Sequence, residues 1–160
     1  MTALRKSQLH QRVCAALGIE PPTERLDEVP LLIEPPGLTA LAVWAFTLTD
    51  PKGGRHPSEA KIQLILPGQE RGERRSFESD ADRYRILIGS PRAGDLFVLW
   101  DAYKQTTFTW SKNVQVRGEI LWRAEVDGLA TGKRLRGQET VIACRPEHLK
   151  TAIKARINTE

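Results

Sequence analysis

The sequence predicts an α+β fold with a helix at each end and a mostly antiparallel sheet, which is either curved or bent into an open β-barrel. Segments with the apolar patterns of strands outnumber helical segments, and several are joined by short turns. We expect about five or six strands and three helices, which favours this fold over a parallel doubly wound one.

Size and composition fit one domain over residues 1–160, with a helix and proline-rich connector at 1–37 and a core at 38–160. Lys and Arg number 24 against 20 Asp and Glu, and the formal charge of +4 matters for binding only if it is concentrated on one face. Cys14 and Cys144 lie far apart in apolar patterns, which argues against a disulfide or a zinc site. Because neither a signal peptide nor an apolar run of about 20 residues is present, we expect a cytoplasmic protein without membrane contact.

The chain begins with an amphipathic helix and an extended connector. Apolar residues stand at helical spacing within 2–17, and Gly18 is a favourable helix stop. The prolines between Pro21 and Pro36 then exclude a regular helix or a central strand.

Two strands joined by a hairpin turn are expected next. Residues 38–50 are rich in β-formers, and the run from Asp50 to Gly54 has the composition of a tight turn. In the second strand, alternation places Lys61 and Gln63 on the face opposite the apolar residues.

The middle of the chain continues with a polar loop at 69–83, whose arginines are available to a partner. Apolar runs at 84–90 and 95–102 predict two central strands. A short alternating strand at 113–117 places its valines on one face and its Asn, Gln and Arg side chains on the other. A helix is expected over 118–127.

The end of the chain predicts one more strand and a helix. Lys133 and Arg134 belong to a late loop, ETVIACR is the strand, and PEHLKTAIKARI is an amphipathic helix that starts at Pro146.

The clearest functional feature is a polar, aromatic and basic loop at 103–117, placed between a strand and a helix. Nucleic-acid recognition needs cations for phosphates and polar or stacking side chains for bases. With the turn at 55–63 as a second arm, this loop predicts a DNA-binding surface, unless Phe108 and Trp110 pack in the core and the polar residues cap turns. The expected DNA-binding residues are Arg55, His56, Lys61, Gln63, Lys104, Gln105, Thr107, Trp110, Ser111, Lys112, Asn113, Gln115 and Arg117.

Asp50, Glu59 and Lys61 form an alternative catalytic set. Two acids and a lysine near strand ends match a metal-dependent phosphodiesterase of the PD-(D/E)xK type, in which the carboxylates hold Mg²⁺ and the lysine orients the attacking water. The run at Asp50 is also explained by hairpin-turn chemistry alone. Outside this alternative we expect neither a cofactor nor a metal site.

Several segments together resemble a small module of prokaryotic restriction-modification proteins, which occurs beside methyltransferases or at the N-terminus of restriction endonucleases. They are EAKIQLILPGQ, YRILIGS, DLFVLWDA, SKNVQVR and VIACRPEHL, and the resemblance covers residues 44–157. It implies DNA target recognition, with an architecture similar to B3-like domains, whose two arms grip the major groove. A nuclease or a methyltransferase would then be a partner or a fused domain.

We therefore expect a non-catalytic domain that binds double-stranded DNA and reads a specific sequence or a modified base. For a modified base, Tyr103, Phe108 and Trp110 are the candidates to line a pocket for an extruded nucleotide. A metal-dependent endonuclease is the second hypothesis, and a protein-interaction module is the third.

Overall fold

The computed structural model describes residues 3–49, 59–134 and 139–159. These residues form three α-helices, three short 3₁₀ helices and ten strands. The α-helices are α1 (Lys6–Leu17), α2 (Gly118–Asp127) and α3 (Leu149–Asn158), and the 3₁₀ helices are Thr23–Arg25, Ala102–Lys104 and Pro146–His148. The strands are β1 (Leu31–Ile33), β2 (Leu41–Leu48), β3 (Glu59–Leu64), β4 (Arg74–Arg75), β5 (Tyr84–Pro91), β6 (Phe97–Trp100), β7 (Phe108–Thr109), β8 (Lys112–Arg117), β9 (Leu129–Lys133) and β10 (Thr140–Cys144).

A central sheet of six strands has the order β1-β2-β5-β6-β10-β9. All neighbouring pairs are antiparallel except β2 and β5, which run parallel. The predicted α+β fold with a mostly antiparallel sheet and terminal helices is confirmed. The sheet is not closed into a barrel, since β1 and β9 stand at its opposite edges.

The two faces of the central sheet are covered by different layers. Successive residues of a strand point to opposite faces, so Val43 of β2 packs with α1 and α3, whereas Trp44 packs with β3, β8 and α2. The helix-side core includes Leu9, Val13 and Cys14 from α1 and Leu149, Ala152 and Ile153 from α3. Cys14 and Cys144 are both buried free thiols on this side.

Strands β3 and β8 pair with each other and form a two-stranded ribbon on the other face. The ribbon approaches the sheet closely at Gly89 of β5, where a Cβ atom would lie 2.8 Å from Ile62 Cγ2 and 3.0 Å from the Trp100 ring. Thr49 exchanges two main-chain hydrogen bonds of 2.8 Å with Lys61, which connects the ribbon to the end of β2. The predicted turn at 50–54 lies outside the described residues.

The helices and the proline-rich stretch follow their predictions closely. α1 ends at Leu17, directly before Gly18, and α2 spans 118–127 as expected. In the proline-rich stretch, Leu31–Ile33 forms an edge strand of the central sheet, which agrees with the exclusion of a central strand.

Two loop predictions hold only in part. Most residues of segment 69–83 are exposed and outside regular structure as expected, but Phe77 is 1 % exposed and its ring lies 5.0 Å from Trp44 and 4.9 Å from Phe108. Lys133 is not in a loop but is the last residue of β9, which pairs with β10 and whose Gly132 leaves room for Ile120 of α2. Arg134 follows this strand.

No helix within the described ranges is long and apolar enough to cross a membrane.

Candidate nucleic-acid interface

The outward side of the β3–β8 ribbon consists of polar side chains alone. The inward residues Ala60, Ile62, Val114 and Val116 are buried in the core, so the alternate residues point away from the sheet. They form three cross-strand pairs, namely Glu59 with Arg117, Lys61 with Gln115, and Gln63 with Asn113. We call these six residues the polar ribbon face.

The two predicted DNA-binding arms are therefore neighbours. The described part of the first arm lies in β3 and the end of the second arm forms β8, and the two strands are hydrogen-bonded along their whole length. Sequence reasoning placed Lys61 and Gln63 correctly on an outer face, but it did not predict their pairing with Gln115 and Asn113. Arg55 and His56 lie outside the described residues.

Several side chains of the polar ribbon face have fixed orientations. Lys61 Nζ donates a 3.3 Å hydrogen bond to Asn113 Oδ1. The main-chain oxygen of Gln115 accepts a 2.9 Å hydrogen bond from Trp100 Nε1. The side-chain Oε1 of Gln115 accepts a 3.5 Å hydrogen bond from Arg134 Nη2. Gln63 and Arg117 are exposed. The face thus combines held amides with two exposed groups that a ligand can reach.

A buried network centred on Glu139 supports the ribbon at its side. Glu139 is 5 % exposed, and its Oε1 accepts hydrogen bonds from Gln105 Nε2 at 2.9 Å and Arg134 Nη1 at 3.0 Å. Its Oε2 accepts from the main-chain nitrogen of Asp101 at 3.0 Å. Arg134 also reaches Gln115, so the network connects Glu139 with the polar ribbon face.

Gln105 and Lys112, both predicted to contact DNA, take part in this network. Gln105 is 1 % exposed, and its Oε1 accepts from Lys112 Nζ at 3.1 Å. Burial lowers the pKa of Lys112, the nearby charge of Arg134 lowers it further, and Glu139 opposes the shift. Their contacts are those of residues that position the ribbon.

The turn that joins β7 to β8 contains Trp110 and Ser111. Ser111 has a φ of 67° and donates its main-chain N–H to the Leu64 oxygen at 3.0 Å. The Arg71 guanidinium lies 5.1 Å from the centre of the half-buried Trp110 ring. Thr107, with a φ of 50°, is exposed directly before β7.

The aromatic residues proposed for a base pocket are in different environments. Tyr103 is 41 % exposed, and its hydroxyl oxygen accepts a 3.1 Å hydrogen bond from the main-chain nitrogen of Arg85. Phe108 is 2 % exposed and packs on Phe77, so it is not available to line an open pocket. Lys104 is exposed at the end of its 3₁₀ turn.

The alternative catalytic set is described only in part. Glu59 and Lys61 stand two residues apart on the outward side of β3, and Asp50 lies outside the described residues. Among the residues at 3–49, 59–134 and 139–159, no group of three His, Cys, Asp or Glu side chains could hold a metal ion.

The fold and the polar ribbon face define the class of this molecule, an α+β domain that presents a polar two-stranded ribbon. Residues 39–153 match the family described as Methylase-associated X1, and the chain belongs to this family of domains found with restriction-modification methylases. The resemblance noted in the sequence is thereby confirmed. No curated protein and no solved structure matches the chain.

Proposed function

We propose that this domain binds double-stranded DNA within a restriction-modification system and reads a specific sequence or a modified base with the polar ribbon face. The observation that carries the proposal is the ribbon itself, with its apolar side on the sheet and six polar side chains outward. The major groove of B-DNA admits a two-stranded β-ribbon. The family supports the setting, since its members occur with restriction-modification methylases.

The residue types on the face suit base reading. Asn and Gln can form paired hydrogen bonds with adenine, and Arg and Lys can do so with guanine or contact phosphates. The exposed Gln63 and its cross-strand partner Asn113 are the proposed adenine readers, and the exposed Arg117 is the proposed guanine or phosphate contact. Glu59 lies opposite Arg117, and its carboxylate can accept from the cytosine amino group.

The proposal uses one ribbon instead of the two separate arms of B3-like domains. The described part of the first predicted arm lies in β3 and the end of the second lies in β8, and because these strands are paired the two parts enter a groove together or not at all. Reading groups on paired strands are held more accurately than groups on loops.

Selection from pooled duplexes tests the proposal. Unmodified, cytosine-methylated and adenine-methylated pools are offered to the wild type, to Gln63→Ala and to Lys154→Ala, a control at an exposed position of α3 on the other side of the sheet. The wild type and the control should enrich the same sequence, and Gln63→Ala should lose preference at one base pair, by about 1–3 kcal/mol. Identical enrichment by all three proteins would contradict base reading by this face.

The same duplexes incubated with Mg²⁺ address the nuclease alternative. Cleavage that disappears in Glu59→Ala and Lys61→Ala while DNA binding remains would replace the non-catalytic proposal with an endonuclease. Under the present proposal the wild type binds the DNA and leaves it intact.

A second candidate function, docking to a methyltransferase of the same system, is favoured by two exposed apolar side chains on α2. Trp122 is 64 % exposed and Val126, one helical turn later, is 59 % exposed. Adjacent apolar side chains left in solvent are typical of protein contact sites. Co-elution with that methyltransferase, lost in Trp122→Ser while DNA binding is unchanged, is the expected result; co-elution retained by the variant would exclude this surface.

A further inference from the structure

Gln115 lies in the central cross-strand pair of the polar ribbon face, opposite Lys61. Its main-chain oxygen accepts a hydrogen bond from Trp100 Nε1 at 2.9 Å. The backbone from which the Gln115 side chain extends is therefore held by both the neighbouring strand and the core. Its side chain is half-buried and meets the network of Glu139 through Arg134.

The orientation of the Gln115 amide follows from the chemistry of Arg134. A guanidinium has donors and no acceptor, so the amide atom that faces Arg134 Nη2 at 3.5 Å is the oxygen Oε1. The reversed amide would place an NH₂ group against a cation. Arg134 is itself held by Glu139 at 3.0 Å with 14 % of its side chain exposed, so the cation keeps its position beside the amide.

The amino group of Gln115 is open to a ligand. Within the described part of the chain, Nε2 has no hydrogen-bond partner and is not one of the buried atoms that lack one, so solvent reaches it. Gln115 thus offers hydrogen-bond donors to DNA, while its acceptor is turned towards the protein.

Guanine is the base that best matches a donor without an acceptor. In the major groove guanine presents two acceptors, N7 and O6, whereas adenine presents one acceptor beside an amino group and cytosine presents an amino group. Thymine offers a single acceptor beside its methyl group. A glutamine reads adenine with its oxygen and its nitrogen together, and the contact of Oε1 with Arg134 takes the oxygen out of that arrangement.

We propose that Gln115 is a specificity-determining residue that donates to the N7 and O6 edge of a guanine, and that Arg134 is a positioning residue that holds the amide in this orientation. The inference rests on the proposed DNA binding and deepens it, because it names the base that one position of the polar ribbon face reads.

A duplex that the wild type enriches from a random unmodified pool is the probe for this assignment. Each G·C pair of that duplex is replaced in turn by A·T, and binding is measured for the wild type, Gln115→Ala and Arg117→Ala. At one pair the wild type should lose about tenfold in affinity, as expected for a lost base contact. Gln115→Ala should not distinguish the two duplexes at that pair, and Arg117→Ala, the control on the same face, should still do so.

Arg134→Lys tests the positioning role. Lysine keeps a positive charge for Glu139 but lacks the planar fork that reaches two acceptors at once, so the amide of Gln115 is free to turn and to read adenine. The variant should lose the preference for guanine over adenine at the same pair and still bind the guanine duplex. A purely structural role of Arg134 would lower binding of both duplexes equally.

The outcomes separate the two proposals. Enriched duplexes in which no G·C pair responds specifically to Gln115→Ala overturn the guanine assignment and leave DNA binding by the ribbon intact. A guanine preference that is unchanged in Arg134→Lys overturns the role of Arg134. Failure of the wild type to enrich any duplex overturns the proposed function and this inference with it.

Discussion

At the scale of single residues, Glu139 joins residues 101–105 to Arg134, which lies five positions before it in the sequence. Its carboxylate accepts hydrogen bonds from Gln105, Arg134 and the main chain of Asp101. Arg134 has only 14 % of its side chain exposed, so its charge depends on Glu139 for compensation. The position of Gln115 on the polar ribbon face therefore depends on a residue that lies outside the ribbon.

Replacing Glu139 by Gln should destabilise the protein by about 3 kcal/mol, because a mostly buried guanidinium loses its counter-charge. This loss of unfolding free energy lies at the lower end of the range for broken buried ion pairs, because Arg134 keeps some contact with water. Urea unfolding of Glu139→Gln beside Glu125→Gln measures it. The change at the exposed Glu125 should stay within about 0.5 kcal/mol of the wild type, and equal stabilities of the two variants would contradict the role given to Glu139.

His10 gives the protein a pH-dependent stability. The side chain is fully buried, Nδ1 bonds to the Leu26 oxygen, and Nε2 has no hydrogen-bond partner among the described residues. Burial lowers the pKa of His10 below its ordinary value of 6.5, and the charge of Lys6 lowers it further, against opposing effects of the Leu26 oxygen and Asp27. The folded state therefore prefers the neutral ring.

Because the folded-state pKa lies below the unfolded-state value, this contribution is complete above about pH 6.5 and is lost as the pH falls through the folded-state pKa. The wild type should lose up to about 1.4 kcal/mol of unfolding free energy per pH unit from this group. His10→Asn keeps a donor near the position of Nδ1 and lacks the titration. Unfolding at pH 7.5 and pH 5 should show a smaller loss for the variant, and parallel losses would contradict this origin.

At the scale of elements, the sequence predicted strands and helices better than it predicted their pairing. The alternation of Val114 and Val116 with polar residues is local, and it gave the correct faces of β8. The pairing of Gln63 with Asn113 joins residues 50 positions apart, which no local pattern encodes. Phe77, surrounded by charged and polar residues, gave no local signal that tertiary packing would bury it.

The close approach of the ribbon to the central sheet gives an element-scale prediction. Gly89→Ala places a methyl group against Ile62 Cγ2 and the Trp100 ring, and overpacking of this kind costs about 1–3 kcal/mol. In an Ile62→Ala background the first of these contacts is gone, so Gly89→Ala should cost less there. A double-mutant cycle by chemical denaturation measures the difference, and additive effects would mean that the ribbon does not rest on Gly89.

At the scale of the whole molecule, the number of basic residues does not give the positive charge that is available on a binding surface. Arg12 donates to the Arg92 oxygen at 2.7 Å, and Arg83 donates to the Leu41 oxygen at 3.1 Å. Arg156 is 3 % exposed and donates to the Thr140 oxygen. These arginines connect elements of the fold, and such internal use could not be separated from surface charge in the sequence.

We therefore expect only a few cations to supply the electrostatic part of the DNA-binding free energy. Arg117 on the polar ribbon face is one of them. Affinity for DNA falls with salt in proportion to the number of phosphates that cations contact. The position of a removed positive charge, and not the net charge alone, should therefore decide how much its removal weakens DNA binding.

Binding of a duplex by the wild type, Arg117→Ala and Lys154→Ala across a salt series tests the central claim most directly. Both variants lose one positive charge at an exposed position, on opposite sides of the central sheet. We expect Arg117→Ala to bind more weakly and to reduce the salt dependence by about one unit of slope, and Lys154→Ala to match the wild type. Equal behaviour of the two variants would contradict DNA binding by the polar ribbon face.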